Sequence, residues 1–424
     1  MVRWSACTNK STNYYDFFNG AISMTSKIVF VANSSKRYRY YSLIAERCKG
    51  QAKVIFPVYP SLALLVGAFT KPPVDENMLL VNHLQRQASN YPKLTKSVLL
   101  WKVYCAIARI TERARFGHYF ALFSRLDCEA VAIWNGQRQP YLTMVAAAKQ
   151  AKKRVLYFEN GLLPDTTTAD YNGVNAFNSL PREASFYLSL NSMTLAQQAV
   201  RVPSALVPRD PHRKRAISSQ KLDTLPQNYI FIPFQVPTDS QIMVQSPWVH
   251  SMEQMYHLIL AAHTRLYQAS DDDDIPYLVF KEHPSWPGNF ASLYHQHPHC
   301  LFANENNTQA LIENAQAVIT INSTVGLESL LLGQKVITLG NACYNVEGMV
   351  LHADNEAELF DALSRVSSWI CDEALRHNFL HYVAATYCIP GEWQKMLDQP
   401  DEVHFDAMLA RVFETDELAQ AAKK

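Results

Sequence analysis

The sequence has almost no excess of charge of either sign. Its 424 residues include 39 lysines and arginines against 38 aspartates and glutamates. This balance creates no overall field that would attract nucleic acid or an acidic polymer, so any recognition of an anion must be local. The length exceeds that of a typical domain, and we expect two domains of roughly 150 to 200 residues each.

Signals for secretion and for a membrane span are also missing. The chain opens with polar and aromatic residues rather than a basic segment followed by an apolar run, which predicts no signal peptide. The most apolar windows, 61–69 and 98–110, are too short, or are interrupted by Lys102, to span a bilayer. The eight cysteines show no CxxC or paired spacing, which favours reduced thiols in the cytoplasm.

One stretch, 96–115, is both amphipathic and basic. It is consistent with a surface helix packed on its own domain, which is the more common case, and with peripheral contact to a membrane. The sequence therefore predicts a cytoplasmic protein that could lie at the inner membrane.

Two common nucleotide-binding motifs are absent. No GxGxxG occurs at a strand–helix turn, which argues against a dinucleotide cofactor. No P-loop signature occurs either, which argues against simple NTP hydrolysis.

Buried apolar runs alternate with helical patterns through most of the chain. Runs such as 27–32 (KIVFVA) and 154–158 (RVLYF) are typical of buried strands, and strands alternating with helices imply parallel sheets covered by helices. The pattern stops near Ser204 and resumes at Tyr229. It predicts two doubly wound α/β domains. The predicted units are an N-terminal Rossmann-like domain (1–205), a linker (206–227), a C-terminal Rossmann-like domain (228–390) and C-terminal helices that could cross back to the first domain (391–424).

The stretch 315–340 combines a buried strand, a polar corner and a helix. Ser323 can cap the helix and leave backbone N–H groups of its first turn facing an anion. Thr324 and Glu328 are four residues apart and share one helix face. A nucleotide would fit, with its phosphate at the helix start and its ribose at Glu328. An ordinary capped helix with a solvated glutamate fits as well.

Polar clusters follow the predicted strands in both domains. In open α/β sheets this edge is where ligands bind, and two such edges facing one crevice describe the GT-B type of glycosyltransferase architecture. The clusters are 33–37, 135–138, 159–160, 235–240, 281–283 and 322–324.

Two carboxylates in these clusters could carry chemistry. Glu159 follows a predicted strand in the first domain, and Asp239 lies in a short loop after a strand of the second. Glycosyl transfer needs a nucleophile or charge stabiliser and a separate acid/base, which such a pair would supply. Asp239 could equally cap the following segment, and His283 with Pro284 could form only a turn.

Six strings in order resemble the bacterial capsule polysaccharide biosynthesis family, whose characterised members include retaining β-Kdo transferases that use CMP-Kdo. Individually each string is short, and their order along most of the chain carries the resemblance. The strings are WNGQRQPY (134–141), YFENGLLPDTT (157–167), GVN with NSLPR (173–182), PFQVPTDSQI (233–242), KEHP (281–284) and NSTVGLESLLLGQKVITLG (322–340).

The resemblance implies a role for each cluster. Asp239 would be the nucleophile of a double displacement, and Glu159 the acid/base on the acceptor side. CMP-Kdo would lie mainly on the second domain, with protein cations neutralising its two negative groups, so no metal or other cofactor is expected. The implied donor ligands are Gln235, Lys281, His283, Ser323, Thr324 and Glu328. The implied acceptor ligands are Asn135, Gln137, Arg138 and Arg182.

These features predict a retaining β-Kdo transferase that acts on a glycan or glycolipid acceptor in capsule or lipopolysaccharide O-antigen synthesis. Its partners would be the nucleotide sugar and the acceptor, with contact to a membrane or an assembly complex left open. Two alternatives stay open: a GT-B transferase or epimerase for another nucleotide sugar, and a non-catalytic glycan-binding subunit of an export complex.

Overall fold

A computed structural model describes residues 26–57, 75–190, 220–268, 275–286 and 288–413. The apolar window 61–69 and the linker up to residue 219 lie outside the described residues. Residues 220–227, the rest of the predicted linker, form neither helix nor strand.

The first sheet is parallel through its centre. Five of its six strands lie in the order β2-β1-β3-β4-β5, and among these five β5 runs antiparallel to its neighbour β4. Their bounds are β1 Ser26–Val31, β2 Ala52–Ile55, β3 Cys128–Trp134, β4 Arg154–Asn160 and β5 Thr166–Asp170.

Helices cover both faces of this sheet. Successive residues of β1 point to opposite sides, so Ile28 and Phe30 join one apolar cluster while Val29 and Val31 join another. Burial on both faces explains why the predicted strands are nearly continuous apolar runs. The helices of this half are α1 Ser35–Arg47, α2 Glu76–Asn90, α3 Pro92–Thr95, α4 Val98–Arg125 and α5 Tyr141–Gln150, with a 3-10 turn at Asn175–Phe177. A further helix, α6 Ala184–Ser189, packs instead against the helix Glu373–Tyr382 of the second half.

The second sheet is wholly parallel, in the order β8-β7-β6-β9-β10-β11. This is the doubly wound order in which the chain reverses direction across the sheet between β6 and β9, the place where such sheets bind ligands. The strands are β6 Tyr229–Pro233, β7 Tyr277–Lys281, β8 Cys300–Phe302, β9 Ala317–Thr320, β10 Val336–Thr338 and β11 Leu351–His352.

The helices of the second half pack around this sheet. The longest, Met252–Tyr267, begins after Ser251, whose hydroxyl accepts from the Gln254 N–H and caps the first turn. The helices are α7 Ser240–Gln245, α8 Met252–Tyr267, α9 Thr308–Glu313, α10 Thr324–Leu331, α11 Glu356–Arg365 and α12 Glu373–Tyr382, which continues as a π-helical turn Val383–Tyr387, with a 3-10 turn at Ala291–Leu293.

The end of the described chain returns to the first sheet. Strand β12, Ile389–Pro390, pairs antiparallel with β5, and helix α13, Glu402–Val412, packs beside α1. A buried hydrogen bond of 2.8 Å joins the Tyr40 hydroxyl to Nε2 of His404. Between β12 and α13 lies a 3-10 turn, Lys395–Leu397, so the segment 391–424 is only partly helical within the described residues. The predicted two-sheet α/β architecture is confirmed.

Candidate active site

A cavity of about 800 Å³ lies between the carboxyl-terminal edges of the two sheets. Nine of the residues proposed from the sequence line it. From the first sheet they are Asn135, Arg138 and Glu159, and from the second Gln235, Asp239, His283, Ser323, Thr324 and Glu328.

A buried amide pair fixes the floor of the cavity at the reversal point of the second sheet. Gln235, after β6, donates from Nε2 to Oδ1 of Asn322, after β9, at 3.1 Å, and its Oε1 accepts from the Asn322 backbone N–H at 3.3 Å. Nδ2 of Asn322 then donates to the carbonyl oxygen of Gln241 at 2.9 Å. This pair ties two neighbouring strand ends to helix α7.

The polar corner after β9 has the predicted capped form. The hydroxyl of Ser323 accepts from the Val325 N–H at 3.2 Å, and the Tyr344 hydroxyl donates to the Ser323 carbonyl oxygen. Gly326 permits this arrangement, since a Cβ there would lie 2.2 Å from the Tyr344 oxygen. Thr324, in the first turn of α10, and Glu328, one turn further along the same face, both line the cavity.

Glu159 lies within β4 rather than directly after it. The strand continues to Asn160 because β5 folds back and pairs Glu159 with Thr168. The Glu159 carboxylate accepts from Nδ2 of Asn135 at 2.5 Å and from the Asn160 backbone N–H at 2.9 Å. Burial raises the pKa of Glu159 above its ordinary value, and the Asn135 hydrogen bond opposes that rise.

The loop after β3 is shaped by two left-handed residues, Asn135 (φ 60°) and Gly136 (φ 77°). A Cβ on Gly136 would lie 2.8 Å from the ring of Tyr157, so the close approach requires glycine. Oδ1 of Asn135 accepts from the Gln137 N–H at 3.0 Å, which turns its Nδ2 toward Glu159.

Asp239 both caps a helix and faces the cavity. Its carboxylate accepts from the Gln241 N–H at 3.0 Å as the N-cap of α7, and Nη2 of Arg138 lies 3.4 Å from the same carboxylate oxygen. The side chain is 29% exposed. Asp239 therefore caps α7 and lines the cavity at the same time. Its contact with Arg138 joins the second half of the chain to the first across the crevice.

Three proposed residues do not line the cavity. Nζ of Lys281 donates to the carbonyl oxygens of Asn304 and Asn306 at 2.6 and 2.7 Å, which fixes the loop after β8. Arg182 folds back onto its own loop, donating to Oδ1 of Asn178 at 2.7 Å. Gln137 points the other way and lines a second cavity.

Several lining residues were not proposed from the sequence. Arg37 stands 4.5 Å from the ring centre of Trp134 and donates to Oδ1 of Asn33 at 2.8 Å. It belongs to the polar cluster after β1, so the strand-end rule could have found it. Lys395, paired with Asp165 at 2.8 Å, gave no such signal, because it reaches the cavity only through the return of the chain to the first sheet.

Within the part of the chain that the structure describes, no three His, Cys, Asp or Glu side chains lie close enough together to hold a metal ion. The predicted independence from metal stays a prediction.

No helix in the described ranges is long and apolar enough to cross a bilayer. The seven described cysteines are free thiols.

Two largely parallel α/β sheets whose strand ends share one cavity define a GT-B-type protein. The family model of capsule polysaccharide biosynthesis proteins matches residues 129–222 and 209–392. Protein FixF of Sinorhizobium fredii (strain NBRC 101917 / NGR234) is 32% identical over 321 residues, 75% of this chain and 75% of FixF. The chain belongs to the capsule polysaccharide biosynthesis protein family.

Other relatives are more distant. The capsule polysaccharide export protein KpsS of Escherichia coli is 25% identical over 256 residues, 48% of this chain and 64% of KpsS. Among solved structures, Thermosulfurimonas dismutans KpsC, beta Kdo 2,7 transferase, aligns with a TM-score of 0.45 and 13% identity, covering 88% of this chain and 98% of that one.

Substitutions of Asp239 can test its capping role separately from its position in the cavity. Asp239→Ala removes the cap of α7, and we expect the free energy of unfolding to fall by about 0.5–2 kcal/mol, whereas Asp239→Asn, an equally good cap, should change it by only a few tenths. Urea unfolding measures both. Asp401→Ala, which removes the matching cap of α13, is the control and should cost a similar amount. Equal stability of Asp239→Ala and wild type would contradict the capping role.

Proposed function

We propose that the protein is a retaining glycosyltransferase that moves Kdo from CMP-Kdo to a glycan or glycolipid acceptor during synthesis of capsule or lipopolysaccharide O-antigen. The observation that carries the proposal is the meeting of Asp239 and Glu159, from opposite sheets, in one cavity with a capped helix start. The choice of Kdo as the sugar rests on the sequence strings that resemble β-Kdo transferases, and those strings supply most of the cavity lining.

The donor would lie against the second sheet. His283, Ser323 and the first turn of α10 would bind the CMP phosphate and the Kdo carboxylate, since a helix N-terminus favours negative charge. Glu328 would accept hydrogen bonds from the ribose hydroxyls. Lys281 is withdrawn from this set because three carbonyl oxygens hold its ammonium group.

The reaction would proceed by double displacement. The Asp239 carboxylate attacks the anomeric carbon of Kdo, the bond from that carbon to the CMP phosphate oxygen breaks, and CMP leaves with the electron pair. An acceptor hydroxyl then attacks the same carbon, the ester bond to Asp239 breaks, and Glu159 takes the hydroxyl proton. Two inversions give retention. Arg138, whose Nη2 lies 3.4 Å from Asp239, would orient the carboxylate.

The acceptor would approach from the first sheet. Asn135 and Arg138 line the cavity beside Glu159, which places the proton acceptor where a sugar hydroxyl would enter. Arg182 holds the loop 176–182 instead of contacting the acceptor.

Incubation of the protein with CMP-Kdo and a glycolipid or β-Kdo-terminated acceptor tests the proposal. We expect product by mass spectrometry and a Kdo-linked peptide containing Asp239. Asp239→Asn should retain CMP-Kdo binding and lose transfer by at least a thousandfold, while Asp401→Asn, an equivalent cap elsewhere, should transfer normally. Release of UDP from another nucleotide sugar, or no turnover of any donor in a panel, would favour the two alternatives instead.

The raised pKa of Glu159 predicts the acid limb of the pH profile. Glu159 must be ionised to take a proton, so turnover should fall as pH drops through a value above its ordinary pKa of about 4.3. Asn135→Ala removes a hydrogen bond that lowers this pKa, and we expect the limb to move to higher pH. Profiles of kcat/KM measure the shift.

The surface variant Asn314→Ala is the control and should keep the wild-type limb. Glu159→Gln should reduce turnover more than a hundredfold with the fold intact by circular dichroism. An Asn135→Ala limb at the wild-type position would exclude Glu159 as the base.

We also propose that the exposed face of α4 rests on an anionic membrane. Leu99, Val103, Ile107 and Ile110 recur on one side of the helix and are 73%, 48%, 57% and 55% exposed, an unusual set of apolar side chains for a water-facing helix. The exposed basic residues 102 and 109 flank this stripe. An apolar stripe beside basic residues suits an interface of acyl chains and acidic headgroups.

Vesicle co-sedimentation tests this surface. We expect binding to phosphatidylglycerol-containing vesicles, weaker binding to phosphatidylcholine alone, and at least a tenfold loss in the triple variant Leu99→Ser, Ile107→Ser, Ile110→Ser. The control Val403→Ser, at an equally exposed site on α13, should bind as wild type does. Unchanged binding of the triple variant, or a dimer that this variant dissociates, would contradict membrane contact.

A further inference from the structure

A second cavity, of about 220 Å³, lies beside the first. Helices α2, α4 and α7 and the loop after β3 enclose it. It shares Arg138 and Ser240 with the larger cavity, so the two spaces meet on either side of Asp239. Gln137, which does not face the larger cavity, lines this one.

Three guanidinium groups from three separate elements line the second cavity. Arg86 comes from α2, Arg115 from α4 and Arg138 from the loop after β3. Burial and the neighbouring Arg138 lower the pKa of Arg86, and burial with Arg115 and Arg86 lowers the pKa of His83. Burial is the larger cause of both shifts, and the Asp239 carboxylate opposes the shift of Arg86. The remaining contributions come from like charges that lie near one another around this cavity.

The carboxylates nearby do not match all three cations. Arg115 pairs with Glu112 at 3.3 Å and Arg138 with Asp239 at 3.4 Å. Arg86 donates to a neutral acceptor, the carbonyl oxygen of Thr238, at 2.7 Å. Asp239 also acts electrostatically on Arg86, and the five charged groups together, three arginines and two carboxylates, carry a net charge of +1.

One donor at this cavity also lacks a partner. Nε of Arg138 is buried and has no hydrogen-bond partner among the described residues. A buried donor without a partner is costly, so an arginine Nε–H in this position is a site for an acceptor from outside the protein. Guanidinium groups bind carboxylate and phosphate oxygens in pairs, which suits this arrangement.

We propose that the second cavity binds an oxyanion, a carboxylate or phosphate group carried by the acceptor. Arg86 and Arg115 hold the anion, and Arg138 links it to Asp239. The acceptor is thereby anchored with a neighbouring hydroxyl at the larger cavity. The assignment of the anion to an acceptor rests on the proposed glycosyl transfer. Anion binding itself does not require the donor.

Isothermal titration without CMP-Kdo tests the site with three probes. Glycerol 3-phosphate represents a phosphate group, the methyl glycoside of galacturonic acid a sugar carboxylate, and methyl galactoside a neutral sugar. We expect one of the two acids to bind, which identifies the source of the anion, and the neutral sugar to bind at least tenfold more weakly. Arg86→Gln and Arg115→Gln should each weaken binding of that acid at least fivefold.

Two control variants test whether a loss of binding is specific to the arginines of the second cavity. Arg365→Gln, at an exposed ion pair on α11, should bind as wild type does, and Arg86→Lys should recover part of the affinity if the Gln variant is folded but weak. Binding unchanged in the Arg86→Gln, Arg115→Gln double variant, or no preference for acids over the neutral sugar, overturns the proposal. If the double variant loses anion binding but still releases CMP from CMP-Kdo, the proposal is supported, and the anion subsite is separate from the donor site. If no donor is used but anion binding depends on both arginines, only the proposed function fails.

Discussion

Parallel pairing places the carboxyl ends of neighbouring strands at one edge of a sheet, and two such edges face each other in this protein. Everything else in the candidate site depends on that constraint. The amide pair of Gln235 and Asn322 holds the strand ends together at the reversal point of the second sheet, and Arg138 reaches across from the first sheet to Asp239. Polar side chains that follow the parallel strands of either sheet therefore lie at or near the same crevice.

Asp239 combines a helix-capping role with a position in the larger cavity that suits the proposed chemistry. As the N-cap of α7, its carboxylate is oriented by the Gln241 backbone N–H and lies at the helix end that favours negative charge. Glu159 is in a different environment, since burial raises its pKa while Asn135 holds it in place. Two carboxylates in unlike surroundings are the arrangement that separates a nucleophile from an acid/base.

The chain as a whole is nearly neutral, yet positively charged side chains cluster at particular places in the structure. Arginines collect around the two adjoining cavities, with Arg138 common to both, while the total stays near neutral. A donor with a phosphate and a carboxylate, and an acceptor with an acidic group, can both be accommodated by such local clusters. The exposed apolar face of α4 lies on the helix that also supplies Arg115 to the second cavity, so one helix joins the two proposed binding surfaces.

The sequence alone determined the alternation of strands and helices, the two-sheet architecture and nine of the residues that line the larger cavity. Apolar periodicity and capping residues act over a few neighbours, and the strand-end rule then groups distant clusters without coordinates. Only the tertiary structure decided which side chains of those clusters turn inward. Lys281 has the right position but bonds to carbonyl oxygens of another loop, and Arg182 bonds to its own loop. Lys395 and the three-arginine cavity arise from segments far apart in the chain, and their contacts depend on packing that local patterns do not encode.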